Sequence, residues 1–337
     1  MEAKGPDAQQ HQQIPEWSFD PFAQVSAPSL SRVREIWAIG GGKGGVGKSL
    51  ISSSLAIALS RMNLKVIAVD LDLGGANLHT TLGVDFPQHS LSDFISGRTE
   101  NLKDCVVPTG IPNLSLISGA QDSVTVMHLS SDQKTRLFES FRKLDADYLI
   151  FDLGAGTSAH TIDFFLAADV GIISMLPEPT SIENAYRFIK SAYFRKLRNC
   201  PQLKEVAQLI DTAMDAKNSQ GIKTPADLFR EVNAISPESG MRMKEQIARF
   251  QPRLILNQVR TQTDVEVGFS VKNVSKRYFG IELDYVGYLD YDTTVWQAIR
   301  RKKPFVLEFP NSRLVGSIDR ITQYLFKKSA GVRPSDL

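Results

Sequence analysis

The chain has 337 residues, 42% hydrophobic and 23% charged, with a net charge of +2: ordinary for a globular protein, long enough for one large α/β domain with embellishments, and without a global case for nucleic-acid binding. Its two cysteines, Cys105 and Cys200, stand far apart in no C-x-x-C arrangement, which argues for a reducing compartment and against a metal or iron–sulfur site. No run approaches the apolar length of a transmembrane helix and no signal peptide is visible, so a cytoplasmic protein is expected.

Residues 1–32 are rich in Gln, Pro, Ser and Ala without a sustained period, and are predicted to be a mostly disordered arm. Within them Pro15-Glu16-Trp17-Ser18-Phe19-Asp20-Pro21-Phe22 carries three aromatics, either a docking peptide or chance decoration of a tail. Ile36 to Ile39 reads as a buried strand. From Gly42 to Ser49 the chain satisfies G-x-x-x-x-G-K-[ST], the phosphate-binding P-loop. Apolar Ile51, Leu55, Ala58, Leu59 and Met62 follow at helical spacing, so the loop has its proper strand–loop–helix context. Gly42, Gly44, Gly45 and Gly47 let the backbone, through Lys43, Val46 and on to Leu50, wrap closely around phosphates. Lys48 is expected to reach the β- and γ-phosphates of ATP, and Ser49 to ligate Mg²⁺.

Lys65 to Val69 is a second buried strand, running into Asp70-Leu71-Asp72-Leu73-Gly74. Strand ends facing the P-loop are where a doubly wound sheet places its ligand, although both carboxylates could instead cap the next turn. Asn113 to Ser118 is a third strand, and Ser131 to Leu144 an amphipathic helix with Leu137, Phe138, Phe141 and Leu144 inward. Tyr148 to Asp152 is a buried strand ending in an acid; Asp152 is expected to hold Mg²⁺, through water. Gly154 follows it, placed to let the backbone approach a terminal phosphate. Val170 to Leu176 is the next strand, and the helix from Ser181 to Arg198 carries Arg187, Lys190, Arg195, Lys196 and Arg198, a partner surface or a solvated face. Pro252 to Val259 is a strand carrying Asn257 near its end; an amide there has the donor and acceptor that pair with adenine. Val265 to Phe279 reads as a helix and Leu283 to Leu289 as the last strand. Ser317 to Lys328 is a terminal helix ending in Lys327-Lys328.

Lys43, just inside the first glycine, makes KGGVGKS resemble the deviant Walker A motif of the MinD/ParA/Mrp/nitrogenase-iron-protein class of P-loop ATPases. Asp70, Asp72, Gly74 and Asn77 match that class's D-x-D-x-G-x-x-N segment, and Asp152, Gly154 and Gly156 its D-x-[PG]-[AP]-G switch II. The segment Asp292 to Pro310, with Asn311-Ser312, looks like the tail segment of FlhG/FleN and close MinD relatives. The resemblance covers roughly Arg34–Arg198 and Pro252–Lys328. It implies a doubly wound, mainly parallel sheet with helices on both faces over residues 33–330. Residues 199–251, where the family runs almost directly to the next strand, are then a helical insertion, and residues 331–337 a polar tail. It also implies a slow, partner-stimulated ATPase that positions or counts a cellular structure through ATP-dependent homodimerisation. In that class Lys43 reaches the partner's phosphates, Asp72 positions the attacking water, Asp152 and Gly154 form switch II, and Asn257 reads adenine. Expected partners are a second copy and a regulatory or cargo protein. A peripheral contact at the inner membrane or a cell pole is open only if the helix Ser317–Lys328 is free of the core. The class often has a proline where Asp290 stands, and FlhG-type proteins often bear an N-terminal DQAxxLR-like motif; neither occurs here. The alternative is a P-loop ligase or amidotransferase of the dethiobiotin/cobyrinate synthetase type, which lacks the signature lysine.

Overall fold

The computed structural model describes residues 33–72, 75–85, 87–119, 129–214, 222 and 224–329. The predicted arm (1–32), Leu73 and Gly74 of the D-x-D-x-G segment, and the predicted tail (331–337) lie outside the described residues.

Eight strands form one sheet: β1 (Glu35–Gly40), β2 (Val66–Leu71), β3 (Val106–Pro108), β4 (Leu114–Ile117), β5 (Tyr148–Leu153), β6 (Val170–Met175), β7 (Arg253–Val259) and β8 (Asp284–Asp290). Their order is β3-β4-β2-β5-β1-β6-β7-β8. Every pairing is parallel except β3 with β4. The central strands read as unbroken apolar runs, VIAVDL in β2 and YLIFDL in β5, and are buried along their whole length. Such runs belong to strands covered on both faces.

One face is covered by α1 (Lys48–Arg61), α2 (Leu78–Thr81), α11 (Val295–Arg300), α12 (Phe305–Glu308) and α13 (Arg313–Ser329). The other carries α3 (Leu91–Ile95), α4 (Ser131–Arg142), α5 (Ala159–Ala167), α6 (Pro179–Arg198) and α10 (Gln262–Phe279). Local signals start these helices. Ser130 with Gln133 closes a capping box on α4, and Thr261 with Asp264 another on α10. Pro179 opens α6, and Arg195, Lys196 and Arg198 in its last turn complement the helix dipole.

The stretch predicted to be an insertion contains α7 (Ala207–Met214), α8 (Pro225–Ile235) and α9 (Pro237–Ala248). Leu203, Val206, Ile210, Leu228, Val232 and Met243 are buried in the same apolar cluster as α6, so these helices extend the main core rather than forming a separate one. Between α4, α5 and α6 lies a buried ionic cluster. The Asp163 carboxylate takes a 2.6 Å bond from Lys134 and two from Arg195 at 2.7 and 2.8 Å.

α13 is a core element. Leu314, Val315, Ile318, Ile321 and Leu325 are buried against the sheet and α1. The condition for a membrane-binding terminal helix, an apolar face free of the core, is therefore not met. Among the described residues no helix is long and apolar enough to cross a membrane.

Candidate functional site

Parallel strands bring Gly40, Asp70, Asp152, Ser174 and Asn257 to one edge of the sheet. Asp70 and Asp152 are direct register partners on β2 and β5. The loop from Gly41 to Gly47 crosses this edge and delivers Lys48 at the start of α1. Gly47 has φ 86°, and a Cβ added to it would lie 2.1 Å from Asn257 Nδ2, so both backbone strain and space require glycine there.

The loop is held from beneath. The Val46 carbonyl accepts from Ser174 Oγ at 2.8 Å and from Asn257 Nδ2 at 2.9 Å, both buried. Asn257 Oδ1 accepts from the Gln258 N–H at 2.8 Å. The amide expected to read a base thus gives one N–H and one lone pair of its oxygen to backbone and keeps a second of each. Its physical work here is to brace the loop through Val46, each such buried bond contributing about 1 kcal/mol.

Lys48 is nearly buried, at 8% exposure, whereas Lys43, Gly44 and Gly45 are exposed. A Cβ on Gly44 or Gly45 would meet nothing within 4 Å, so the front of the loop is open. Among the described residues Lys43 Nζ reaches only Thr180 Oγ1, at 3.4 Å. The two lysines of one loop therefore occupy opposite environments. Burial pushes the Lys48 ammonium below its ordinary pKa, while Asp152 and Asp72 pull it back up.

Asp152 accepts from Ser52 Oγ at 3.0 Å and from the Ser49 hydroxyl. Asp70 accepts from the Asp72 N–H at 3.0 Å and the Leu78 N–H at 2.9 Å, which ties the end of β2 to α2. Burial raises the pKa of both carboxyls, and the charge of Asp152 raises Asp70 further. Asp70 is completely enclosed and bonded to backbone, so it is the structural acid of the pair. Asp72 is half-buried, beyond the end of β2. A Cβ on Gly154 would sit 3.3 Å from Asp72 Oδ1, so the two loops approach closely here and a side chain would push Asp72 by a few tenths of an ångström. The Gly156 N–H donates to the Gly41 carbonyl at 3.2 Å, joining the segment after Asp152 to the P-loop.

Every expected site residue is described, and Ser49, Asp72, Asp152, Gly154 and Lys48 converge. Sequence reading missed Ser174 and Ser52. Their signal is a lone hydroxyl in the apolar strand VGIISM and a serine run in a helix whose inner residues are all buried. The residues fit a magnesium nucleotide: Ser49 and Asp152 are adjacent hard oxygen donors, and the exposed glycines leave the loop's front open for phosphates.

An AAA domain model matches residues 34–204. Antiactivator FleN of Pseudomonas aeruginosa is 28% identical over 283 residues, covering 83% of this chain and 81% of that protein. The flagellum site-determining protein YlxH of Helicobacter pylori is 26% identical over 294 residues, covering 86% and 81%. In structure, the septum site-determining protein MinD of Pyrococcus horikoshii, complexed with Mg-ADP, superposes with a TM-score of 0.60 at 20% identity, over 89% of this chain and 99% of that one. A ParA family ATPase of Chlorobium tepidum does so at 0.59 and 18%, over 88% and 100%. With the P-loop, its second lysine and the paired acids in place, the chain belongs to the AAA domain family, as a MinD/ParA-class P-loop ATPase near FlhG and FleN.

Proposed function

We propose that the protein is an ATP-dependent dimerisation switch that positions, or sets the number of, a cellular structure. The observation that carries this is the division of the P-loop between a buried Lys48 and an exposed Lys43, Gly44 and Gly45. Lys48 faces inward toward Asp152 and Asp72, and compensates the phosphates of its own subunit's nucleotide. Lys43 stands on the open rim, placed to serve the nucleotide of a second copy facing it. Mg²⁺, when bound, supplies charge compensation at the β- and γ-phosphates. Ser49 would hold it directly and Asp152 through water. Asp72, held against Gly154, orients the attacking water; loss of the terminal phosphate then frees the segment from Asp152 to Gly156. Hydrolysis is slow alone and is stimulated by a protein partner. The name of YlxH points to the flagellum as one class of cargo, and those of the MinD relatives to the septum site.

The test is Lys43→Ala. ATP-dependent dimer formation by light scattering should be lost, with the fluorescence-measured affinity for an ATP analogue kept. A Lys43→Ala protein that dimerises like wild type with ATP removes the switch. The companion is Asp72→Ala, which should accumulate as an ATP-bound dimer; unchanged turnover would remove Asp72 from the mechanism.

A further inference from the structure

At the end of the sheet opposite the P-loop, where β6 and β7 begin, lies a cavity of about 240 Å³. Four cations from different parts of the chain line it: Lys196 near the end of α6, Arg249 after α9, Arg253 on β7 and Lys328 on α13. One carboxylate, Asp169, also lines it, and Asp169 is already satisfied. It takes two 2.8 Å bonds from Arg142 and one from the Ile36 N–H. Lys328 is paired with Asp284 at 2.7 Å. Arg249 and Arg253 form no ion pair within 4.0 Å among the described residues. The remaining wall is mixed, with Phe165, Phe250 and Pro252 beside the amide of Gln251.

Gathering cations around one cavity is unfavourable unless an anion shares it. Burial pushes both Lys196 and Arg253 downward from their ordinary pKa values, and Arg249 adds to the effect on Lys196. Glu35 and Asp284 offset part of the field at Arg253 without bonding to it. Two guanidiniums offer paired N–H donors, a geometry matched to the oxygens of a phosphate group. The mechanism proposed for the P-loop uses none of these residues.

We propose that this cavity is a second anion site, which binds a phosphate group, free or carried on a small organic ester. Arg249 and Arg253 hold the phosphate oxygens. Lys196 and Lys328 supply further positive charge. Phe250 and Pro252 receive the organic part of an ester.

The test is calorimetric titration of the full chain, its P-loop first saturated with magnesium and a non-hydrolysable ATP analogue so that the terminal-phosphate position is filled. The probes are inorganic phosphate and glycerol 3-phosphate. One saturable site per chain is expected. Tighter binding of the ester identifies an esterified ligand, and tighter binding of the inorganic ion identifies free phosphate. Arg249 is exposed, so Arg249→Gln should fold normally; it is expected to weaken the probe at least about tenfold, as loss of a charge-assisted bond does. Affinity for the ATP analogue should stay unchanged in that variant. Lys328→Gln, also on the exposed side, should weaken the probe by a smaller factor. The absence of saturable binding for both probes overturns the proposal, as does saturable binding that neither variant alters.

Discussion

Two buried clusters of charge sit in this molecule, built to opposite rules. In one, Asp163 lies between Lys134 and Arg195, three short bonds on one carboxylate, sealed beneath α4, α5 and α6. In the other, Asp70 and Asp152 are neighbours across two strands with Lys48 nearby, and burial raises the pKa of both acids. The first has cations in excess of the acid and direct pairing. The second has acids in excess and only one buried cation. Hydroxyls and backbone N–H groups, rather than ion pairs, hold its carboxylates. Direct pairing suits structure, because a fully bonded buried charge fixes three helices in one arrangement. An acid-rich strand end beside an open glycine loop suits a site that exchanges a nucleotide together with its Mg²⁺. The difference teaches that buried charge alone does not mark function; the balance and the opening do.

The largest effect should come from breaking the structural cluster. Asp163→Asn removes the carboxylate that takes three bonds from buried Lys134 and partly buried Arg195, and is expected to lower unfolding free energy by about 3–5 kcal/mol in a urea melt. Nucleotide affinity of the folded fraction should not change. Adding Lys134→Met should recover part of the loss, because it removes a buried charge that has lost its Asp163 ion pair. Lys48→Ala is the mirror experiment. ATP binding should weaken by about 2–4 kcal/mol, or roughly 30- to 1,000-fold, measured with a fluorescent analogue. Its stability should move by no more than about 1 kcal/mol. Should Lys48→Ala destabilise the fold as much as Asp163→Asn does, the two clusters are of one kind and the comparison fails.

Asn257 sharpens the functional side. Removing its amide leaves the Val46 carbonyl with Ser174 as donor and frees the space behind Gly47. Asn257→Ala is expected to cost about 1–2 kcal/mol of ATP affinity, roughly 5- to 30-fold, through a looser loop. The same factor should hold for ATP and GTP analogues, since a brace is indifferent to the base. A loss confined to the adenine nucleotide would return Asn257 to base reading.

Much of this site was legible because its chemistry is local in sequence. The P-loop from Gly42 to Ser49, the acid near the end of β5 and the strand–loop–helix context each lie within one short window, and a continuous apolar run announced most strands. What the chain did not disclose depends on contacts between distant residues. Ser174 and Asn257 meet at one carbonyl from strands far from the loop in sequence, so no spacing reveals the pair. β3 is three residues long and only partly buried, too short to show alternation. The terminal helix could be read as amphipathic, but whether its apolar stripe faces lipid or protein is decided by α1 and the sheet. The basic cavity is assembled from four separate elements, and its lysines and arginines look like ordinary surface charge along the chain.

The smallest effect belongs to Lys43, and it is the control on everything above. The side chain is exposed, touches one hydroxyl at 3.4 Å and lies beside glycines with open space before them. A solvated charge with so little contact contributes little to the fold, so Lys43→Ala should change stability by less than about 0.5 kcal/mol. Under dilute conditions, where the protein is monomeric, its affinity for an ATP analogue should stay within about threefold of wild type, because bulk solvent screens an exposed charge. Lys48→Ala under the same conditions should show its full loss. A large loss of monomer affinity in Lys43→Ala would mean that this lysine folds back onto its own subunit's phosphates when nucleotide binds. The loop would then hold two lysines with one task, and the division between a buried and an open lysine would no longer argue for a second subunit.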